Sequence, residues 1–412
     1  MRFVFLSLAC LSLAADWPQF RGAAGTGASA ETGLPTKFGP NDGLAWKTEM
    51  PGPGTSSPVF VGDRIFVTCY TGYNVPGKPR GEQADLRRHL LALDRKTGKI
   101  LWNTAVAAKG PEQDSVRDAH GYASSTPAAD AERVYCFFGK TGALAFDHTG
   151  KELWRTDVGD KIHGWGSAAS PVLHGDLVYI NASVESETLF ALDKKTGTEK
   201  WKLKGVKESW STPTIVTNTA GKPELVLPMF GRVVGLDPET GAERWTCKTD
   251  ITWYMVPSVV AHEGIVYAIG GRSGIAALAI KTGGTGDVTK THRVWTGKSG
   301  SNVSSPVFAD GHLYFMNDAA GTARCLKASS GEVVYDERPT RGDGTYASAL
   351  LADGKLYYVS RGGRVWVVAA KPKFEELATA DLRDGSLFHA TPVAADGRLF
   401  IRSDKFLYCF GK

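Results

Sequence analysis

Short apolar segments alternate with turn residues along almost the whole chain. In one unit, the segments SPVFVG, RIFVTCY, HLLALD and ILWNTAV follow one another, separated by Gly-Asp and Thr-Gly turns or a longer insertion. Alternating apolar residues bounded by Gly and Asp are typical of antiparallel strands. Each unit therefore predicts a four-stranded antiparallel sheet.

The unit recurs along the chain, and a Ser/Thr-Pro or similar pair marks its start. After a first interval lengthened by insertions, the marking residues follow one another about 43 residues apart; they are Pro58, Pro127, Pro171, Pro213, Pro257, Pro306, Ala349 and Pro392. Four strands per unit of this length predict a propeller blade. The last repeat contains three strands, and residues 44–50 supply the missing fourth. We therefore predict an all-β, eight-bladed propeller over residues 44–412, closed by its N-terminal strand.

An aromatic residue recurs at one place in the predicted fourth strand, at the end of stretches such as ALDRKTGKILW, ALDKKTGTEKW and GLDPETGAERW. A buried indole removes about 150–250 Å² from water, so it can hold two blades together, and the Asp and Thr-Gly shape the preceding turn. Leu377 is predicted to take this place in the seventh repeat. The series is assigned to structure and consists of Trp46, Trp102, Trp154, Trp201, Trp245, Trp295 and Tyr335.

The N-terminus has the pattern of an export signal. Residues 1–15 place one Arg before an apolar run that ends in small residues, and the run is too short to span a bilayer. Lipid attachment at Cys10 is an alternative that fits the pattern less well. We expect a periplasmic or secreted protein in which residues 16–43 form a strap along the outside of the ring.

Composition and motifs exclude several classes of function. The net charge of +5 over 412 residues is too small to indicate nucleic-acid binding. There is no Gly-x-Ser-x-Gly, no phosphate-binding loop and no closely spaced pair of His ligands, so no catalytic residue and no metal site are predicted. The cysteines after the leader are far apart and are expected to be buried apolar residues.

The predicted binding face is the one that carries the links from second to third strand and from blade to blade. Two long insertions, residues 71–89 and 107–124, fall on these links in the first repeat and are expected to rise together. The blade-to-blade links also bring aromatic and His side chains toward the axis, which predicts a funnel; the alternative is that they only plug the channel. These residues are His163, Trp165, Trp210, Trp253, Tyr254, Tyr346 and His389.

Basic residues in the turns between second and third strands predict a second ring around the axis, at Lys140, Arg232, Arg272 and Arg361. Like charges gathered around one axis repel one another unless an anion lies between them. The pattern indicates a carboxylate-bearing or otherwise anionic ligand, which Arg can bind through two parallel hydrogen bonds. A solvated polar rim is the alternative.

The repeat ALDRKTGKILW resembles the tryptophan-docking repeat of the pyrroloquinoline quinone (PQQ) propeller superfamily, and DWPQFRG resembles the start of many secreted bacterial PQQ-like repeat proteins. The resemblance covers residues 16–412 and implies an eight-bladed ring. One branch contains quinoprotein alcohol and glucose dehydrogenases, which bind PQQ and calcium over the axis. The other contains non-catalytic propellers, such as the outer-membrane β-barrel assembly subunit, which bind partner proteins. This chain lacks the adjacent cysteines typical of the alcohol dehydrogenases, and its length suits the second branch.

The sequence therefore favours a non-catalytic, exported binding or scaffold propeller without a cofactor. Its ligand is expected to be a protein partner, an anionic small molecule or a glycan at the funnel. We expect the protein to be a monomer that does not bind nucleic acid. Membership of a membrane-associated complex is left open. Two alternatives remain: a PQQ-dependent oxidoreductase that uses Ca²⁺ and acts on alcohols or sugars, and a glycan-binding propeller.

Overall fold

A computed structural model describes residues 16–114, 116, 120–271 and 276–411. The expected leader at residues 1–15, including Cys10, and the predicted site residue Arg272 lie outside the described residues. Within the described part, no helix has the length and apolarity that a membrane crossing requires. The helical segments are the 3₁₀ turns Gln83–Asp85 and Gly139–Thr141 and the short α-helix Ser183–Ser186.

The strands form eight sheets, each built around a four-stranded antiparallel blade, as predicted. From the axis outward, the first four blades consist of Val59–Val61, Arg64–Thr71, Arg87–Asp94 and Ile100–Ala107 (blade 1), Ala128–Ala129, Arg133–Phe137, Ala143–Asp147 and Glu152–Thr156 (blade 2), Val172–His174, Leu177–Ala182, Thr188–Asp193 and Glu199–Lys204 (blade 3), and Thr214–Thr217, Pro223–Met229, Arg232–Leu236 and Glu243–Lys248 (blade 4).

The second half of the ring repeats this plan. Its blades consist of Val260–His262, Ile265–Gly270, Ala276–Lys281 and Arg293–Gly297 (blade 5), Val307–Ala309, His312–Asn317, Thr322–Lys327 and Val333–Glu337 (blade 6), Leu350–Ala352, Lys355–Val359, Arg364–Ala369 and Glu376–Asp381 (blade 7), and Val393–Ala395, Arg398–Arg402, Phe406–Phe410 and Leu44–Glu49 (blade 8). Two further strands pair in parallel with blades, Ala28–Ser29 with blade 7 and Gly286–Asp287 with blade 4.

The N-terminal strand closes the ring, which confirms the prediction. Leu44–Glu49 pairs antiparallel with Phe406–Phe410, and Trp46 lies opposite Cys409. Blade 8 is therefore made from both ends of the propeller, and its outer strand comes from the start of the chain.

Each indole of the recurring aromatic series lies opposite a small residue and follows a β-bulge. The residues opposite the series are Cys409, Ala92, Ala145, Ala191, Gly235, Ala279 and Cys325. The small partner leaves room for the ring: a β-carbon added at Gly235 would come within 2.1 Å of the Trp245 indole. Four of the six indoles of the series donate through their N–H across the blade boundary, as Trp201 Nε1 does to the carbonyl of Pro238 at 2.9 Å.

Two register predictions were wrong. In blade 7 the β-bulge falls between Val367 and Val368, and Val367 lies opposite Ala378, so Ala378 and not Leu377 takes the place of the docking indole. In blade 5 the hydrogen-bond pattern makes Ser258 equivalent to the Ser or Thr that precedes the other marking residues. The marking position is therefore Val259, two residues after Pro257, because the link before this blade is longer.

The strap does not follow the outside of the ring; that expectation was also wrong. Residues 16–31 cross the face opposite the predicted funnel and lie against the innermost strands, with Trp17 bridging Phe60 through hydrogen bonds of 2.9 Å in both directions. Further along, Pro18 accepts from Ala129 at 2.8 Å and Gly27 accepts from Leu351 at 2.9 Å. The strap lies near the axis because the short innermost strands leave backbone N–H donors without partners in their own blades, together with apolar surface that the strap covers.

Candidate functional site

A cavity of about 420 Å³ lies on the propeller axis and is lined by residues from every blade. This volume is near the lower end of the range for small-molecule sites. Phe20 of the strap also lines the cavity. Because the strap covers the opposite face, Phe20 forms a floor, and the cavity is a cup that opens on the predicted binding face.

A belt of hydroxyl groups surrounds the lower part of the cup. The residue just before the marking position is Ser or Thr in each blade: Ser57, Thr126, Ser170, Thr212, Ser258, Ser305, Ser348 and Thr391. Seven backbone N–H groups donate to the hydroxyl of the next blade at 2.9–3.2 Å, beginning with Ser57 to Thr126 and ending with Ser348 to Thr391. At the eighth position, the Ser57 hydroxyl is buried and has no partner among the described residues.

A second ring of side chains lies two residues earlier and varies from blade to blade. Its members are Thr55, Ser124, Ala168, Trp210, Val256, Val303, Tyr346 and His389. The uniform belt links the inner strands of neighbouring blades, whereas this variable ring gives each blade a different side chain at the cup. The corrected register places Val256 in this ring, although Tyr254, two residues before it, still lines the cup.

One wall of the cup is aromatic. Trp165, Trp210 and Tyr254 line it, and the Tyr254 ring lies 6.1 Å from Trp165 and 5.5 Å from Trp210 between centroids. Trp210 is buried, and its indole N–H donates to the carbonyl of Gly166 at 2.7 Å, so it supports the wall as well as lining it. His163 meets Trp210 edge-on at 5.0 Å but is not part of the lining.

The opposite wall contains a cation. Arg361 lies over the ring of Tyr346 at 4.5 Å, and its Nε donates to Nε2 of His389 at 3.1 Å. A guanidinium has no acceptor, so His389 Nε2 accepts and the imidazole carries its proton on Nδ1. Stacking on Tyr346 and donation to His389 fix the position of the guanidinium, which therefore places a positive charge at the wall of the cup.

Blade 6 adds a group of acceptors. Asp318 Oδ1 accepts from the Ser301 hydroxyl at 2.9 Å and from the Asn302 N–H at 2.7 Å. Asn317 Oδ1 accepts two backbone N–H groups of its own turn. The Asn302 side-chain oxygen is buried and has no partner in the described part of the chain. A buried acceptor without a partner is costly, so this corner favours a ligand that brings hydroxyl groups or a cation.

His120 reaches the cup from the second insertion. Its Nδ1 contacts the hydroxyl of Ser124, and both residues line the cavity. Burial lowers the pKa of His120 to about 4, against the opposing effect of a hydrogen bond with the backbone of Trp165. The imidazole is therefore neutral at physiological pH and adds no charge to the cup.

The described parts of the two insertions of blade 1 pack against each other, as expected, beside the cup. Arg88 and Glu112 form an ion pair at 2.7 Å with both side chains almost fully buried. Arg88 also donates to the Tyr122 carbonyl and to the Thr141 hydroxyl. The Tyr73 hydroxyl donates to the carbonyl of Asp114 at 3.0 Å, so the second insertion is held by the first.

The structure does not bring together Lys140, Arg232 and Arg361, the predicted basic residues that it describes. Arg361 lines the cup, but Arg232 pairs with Glu243 of its own blade at 3.2 Å and is not part of the lining. Lys140 is buried under the second insertion, where its Nζ donates to the carbonyl of Pro111. Trp253 lies next to Tyr254 at 5.6 Å and is exposed outside the cup.

Several lining residues were not among the predicted ones: Phe20, His120, Asn302, Asn317 and Asp318. Asp318 follows the second strand of blade 6, in the turn where Arg232 and Arg361 occur in other blades. A search of those turns for carboxylates and amides as well as bases would have identified it. No sequence pattern points to Phe20, because the path of the strap is set by tertiary contacts.

No group of three or more His, Cys, Asp or Glu side chains that could hold a metal occurs among the described residues. Asp318, Asn302 and Asn317 are the cup residues whose oxygens suit a hard cation such as Ca²⁺. They supply one carboxylate between them, so a cation there needs further oxygen ligands from a bound molecule. The five cysteines after the leader are buried free thiols.

Comparison with known proteins gives one family match. The PQQ_2 family model, described as "Outer membrane protein assembly factor BamB", matches residues 86–337, more than half of the chain. Among curated proteins, a polyvinylalcohol dehydrogenase of a Pseudomonas species is 27% identical over 194 residues, which cover 40% of this chain and 27% of that protein. The match thus spans about a quarter of that relative.

Solved structures share the fold at low identity. BamB from Moraxella catarrhalis has a TM-score of 0.60 at 15% identity and covers 89% of this chain and 98% of its own. The quinohemoprotein alcohol dehydrogenase from Comamonas testosteroni has a TM-score of 0.67 at 14% identity, covering 97% and 81%. The computationally designed Ika8 protein has a TM-score of 0.58 at 13% identity. At these identities the likeness shows the fold alone, which a designed protein also shares.

Proposed function

The chain belongs to the PQQ_2 propeller family, and from that premise we propose that it is a binding propeller whose axial cup holds a hydroxylated ring compound that carries a carboxylate. The observation that carries the proposal is the division of the cup into two walls. Aromatic rings form one wall, while Arg361 and the acceptors around Asp318 form the other. Catalysis is not part of the proposal.

The two walls are chemically complementary to different parts of one ligand. Trp165 and Tyr254 offer flat apolar faces on which a ring can stack. The guanidinium of Arg361 favours an anionic oxygen, and charge-assisted hydrogen bonds of this kind are among the strongest available. The Asn302 side-chain oxygen lacks a donor among the described residues, and Asp318 offers further acceptor capacity beside it; hydroxyl groups can donate to both. A sugar acid has all three features, and it is both an anionic small molecule and a glycan unit.

A quinone cofactor is the second candidate, and the match to a polyvinylalcohol dehydrogenase favours it. The cup fits such a group in outline: Trp165 and Tyr254 would stack on it, Arg361 would pair with a carboxylate, and Asp318 and Asn302 would supply oxygens to its divalent cation. When bound, PQQ supplies hydride-accepting chemistry. The protein's own residues would bind and orient the group and exclude water from it.

The proposal also covers the cellular location of the protein and its binding partners. The export pattern at residues 1–15 and the name of the family model support a periplasmic or secreted protein. A protein partner would bind on the open face, where the two insertions and the rim of the cup project. The proposal needs neither a second copy of the chain nor nucleic acid.

Ligand-dependent stabilisation tests the proposal, since a compound that binds the folded state raises the melting temperature. The purified chain is heated with a panel of uronic acids, aromatic carboxylates, neutral sugars, and PQQ with Ca²⁺. We expect carboxylated ring compounds to stabilise it and the Arg361→Gln variant to lose at least tenfold in affinity. Arg232→Gln is the matched control, because Arg232 lies in an equivalent turn but outside the cup.

The outcomes separate the two candidates. Stabilisation by PQQ with Ca²⁺ together with dye-linked oxidation of alcohols would replace the binding proposal by the quinoprotein. If no compound of the panel stabilises the chain, or if Arg232→Gln weakens binding as much as Arg361→Gln, the cup is not the site. Equal responses to neutral and carboxylated sugars would remove the role given to Arg361.

A further inference from the structure

Trp253 is the most exposed of the eleven tryptophans, with 41% of its surface accessible. The other ten are buried or half-buried, and most of them hold blades together or line the cup. The exposed part of an indole adds nothing to the stability of the fold, and tryptophan is enriched at binding surfaces. The position of Trp253 therefore needs a reason outside the stability of the ring.

The aromatic surface runs without interruption from the inside of the cup to its rim. Trp165 and Trp210 line the cup and contact Tyr254, and Tyr254 contacts Trp253 at 5.6 Å between ring centroids. Tyr254 and Trp253 lie on the link between blades 4 and 5, across the ring from the insertions of blade 1. The aromatic wall thus continues from the cup to an exposed indole, along which a bound molecule can extend outward.

The cup is closed at its other end. Phe20 lines the floor, and the strap behind it is hydrogen-bonded to several inner strands. A long molecule cannot pass through the ring, so only its end can enter. An end group inside and a continuation over the rim are the features of a site that binds a chain at its terminus.

We propose that Tyr254 and Trp253 form an outer subsite, and that the ligand is an oligosaccharide whose terminal uronic acid occupies the cup. This inference rests on the proposed function and deepens it by naming the ligand class. The carboxylate of the end unit lies at Arg361, its hydroxyl groups face Asp318 and Asn302, and the next sugar ring stacks on the Trp253 indole. A peptide fits less well, because the part of the ligand outside the cup meets the flat apolar face of the Trp253 indole, whereas a peptide backbone needs hydrogen-bonding partners.

The test measures affinity against chain length. Glucuronate, galacturonate and mannuronate are titrated into the full chain by calorimetry, followed by their uronate-only oligomers of two, three and four units. We expect at least one series in which the second unit lowers Kd by about tenfold, with a smaller gain for further units. In Trp253→Ala this gain falls below about twofold while the Kd of the monomer stays unchanged.

Leu101→Ala is the matched control, because Leu101 is exposed to a similar degree (47%) on the outer strand of blade 1, away from the rim. It should keep the full chain-length gain, and melting curves should show that both variants are folded. A chain-length gain that survives in Trp253→Ala, or Kd values independent of length, would overturn the inference and leave the proposed function intact. The inference is also overturned, with the proposed function intact, if the only carboxylated rings that bind through Arg361 are not uronates. The same conclusion follows if a peptide displaces the oligosaccharide from Trp253.

Discussion

Gly197 lies directly against the indole of Trp154 in the neighbouring blade, so that a β-carbon at the glycine would come within 2.6 Å of the ring. Gly197 also has a φ of +72°, which other residues adopt at a cost. The same relationship joins Gly98 to Trp46, Gly241 to Trp201 and Gly331 to Trp295. The glycine of each turn is therefore a contact surface for the preceding blade as well as a turn residue.

We expect Gly197→Ala to lower the free energy of unfolding by about 2–5 kcal/mol, since a left-handed backbone costs about 1–2 kcal/mol and overpacking against the indole adds about 1–3. Denaturant titration followed by fluorescence measures the effect. Gly221→Ala separates the two causes, because Gly221 has a φ of +73° and no atom within 4 Å of an added β-carbon. Equal losses in the two variants would show that the contact with Trp154 has no energetic role.

Trp201→Ala should destabilise the protein by about 3–5 kcal/mol, the usual loss for truncating a buried indole. The ring is 9% exposed and its N–H donates to Pro238 of the next blade at 2.9 Å, so the variant also leaves a carbonyl without its donor. Urea denaturation gives the change, and Trp253→Ala serves as the control with an expected change near zero. Comparable losses in both variants would contradict the assignment of the recurring Trp to blade docking.

The hydroxyl belt makes a prediction with an internal control. Ser170→Ala removes the acceptor of the Thr126 N–H, now bonded at 3.0 Å, and should cost about 1–3 kcal/mol as an unsatisfied buried donor. Ser57→Ala removes a buried hydroxyl that has no partner among the described residues, so it should be close to neutral. Thermal and denaturant unfolding of the two variants measure the difference. The belt does not stabilise the ring if they behave alike.

Glu185 should make stability depend on pH. Burial raises its pKa to about 7, Ser167 opposes the shift by donating a hydrogen bond, and Glu112 and Arg88 act on the charge in opposite directions. Its stabilising contribution is complete below the ordinary value of 4.5 and is lost as the pH rises through about 7. Glu185→Gln should therefore gain stability relative to the wild type as the pH is raised from 5 to 8. Denaturant titrations across this pH range measure the change in the free energy of unfolding. Glu332→Gln, at an exposed turn, should show no such trend.

The repeat could be predicted from the sequence because its signals are local. Strand alternation, turn glycines and the recurring indole give eight blades and the pairing of Leu44–Glu49 with Phe406–Phe410. The errors at Pro257 and Leu377 arose where a link is longer or an indole is replaced by alanine. In both places the pattern loses its marker, and only hydrogen-bond pairing defines the register.

The site was predictable only in part, since its composition depends on which way side chains of unrelated links turn. Trp165, Trp210 and Arg361 line the cup as their place in the repeat suggests, whereas Lys140 turns away because the second insertion offers it the carbonyl of Pro111. Asp318 lies in a turn that was considered only for basic residues, and no sequence signal places Phe20 in the cup. Tertiary packing of the strap and insertions decided these positions.

The sharing of blade 8 between the two ends of the propeller constrains how a newly made chain matures. Leu44–Glu49 is synthesised long before its partner Phe406–Phe410. The early strand stays unpaired until its partner has been made, and a chain truncated before Phe406–Phe410 cannot close the ring. A propeller built in this way stays an open arc until its last strand has been made, and only then becomes a ring.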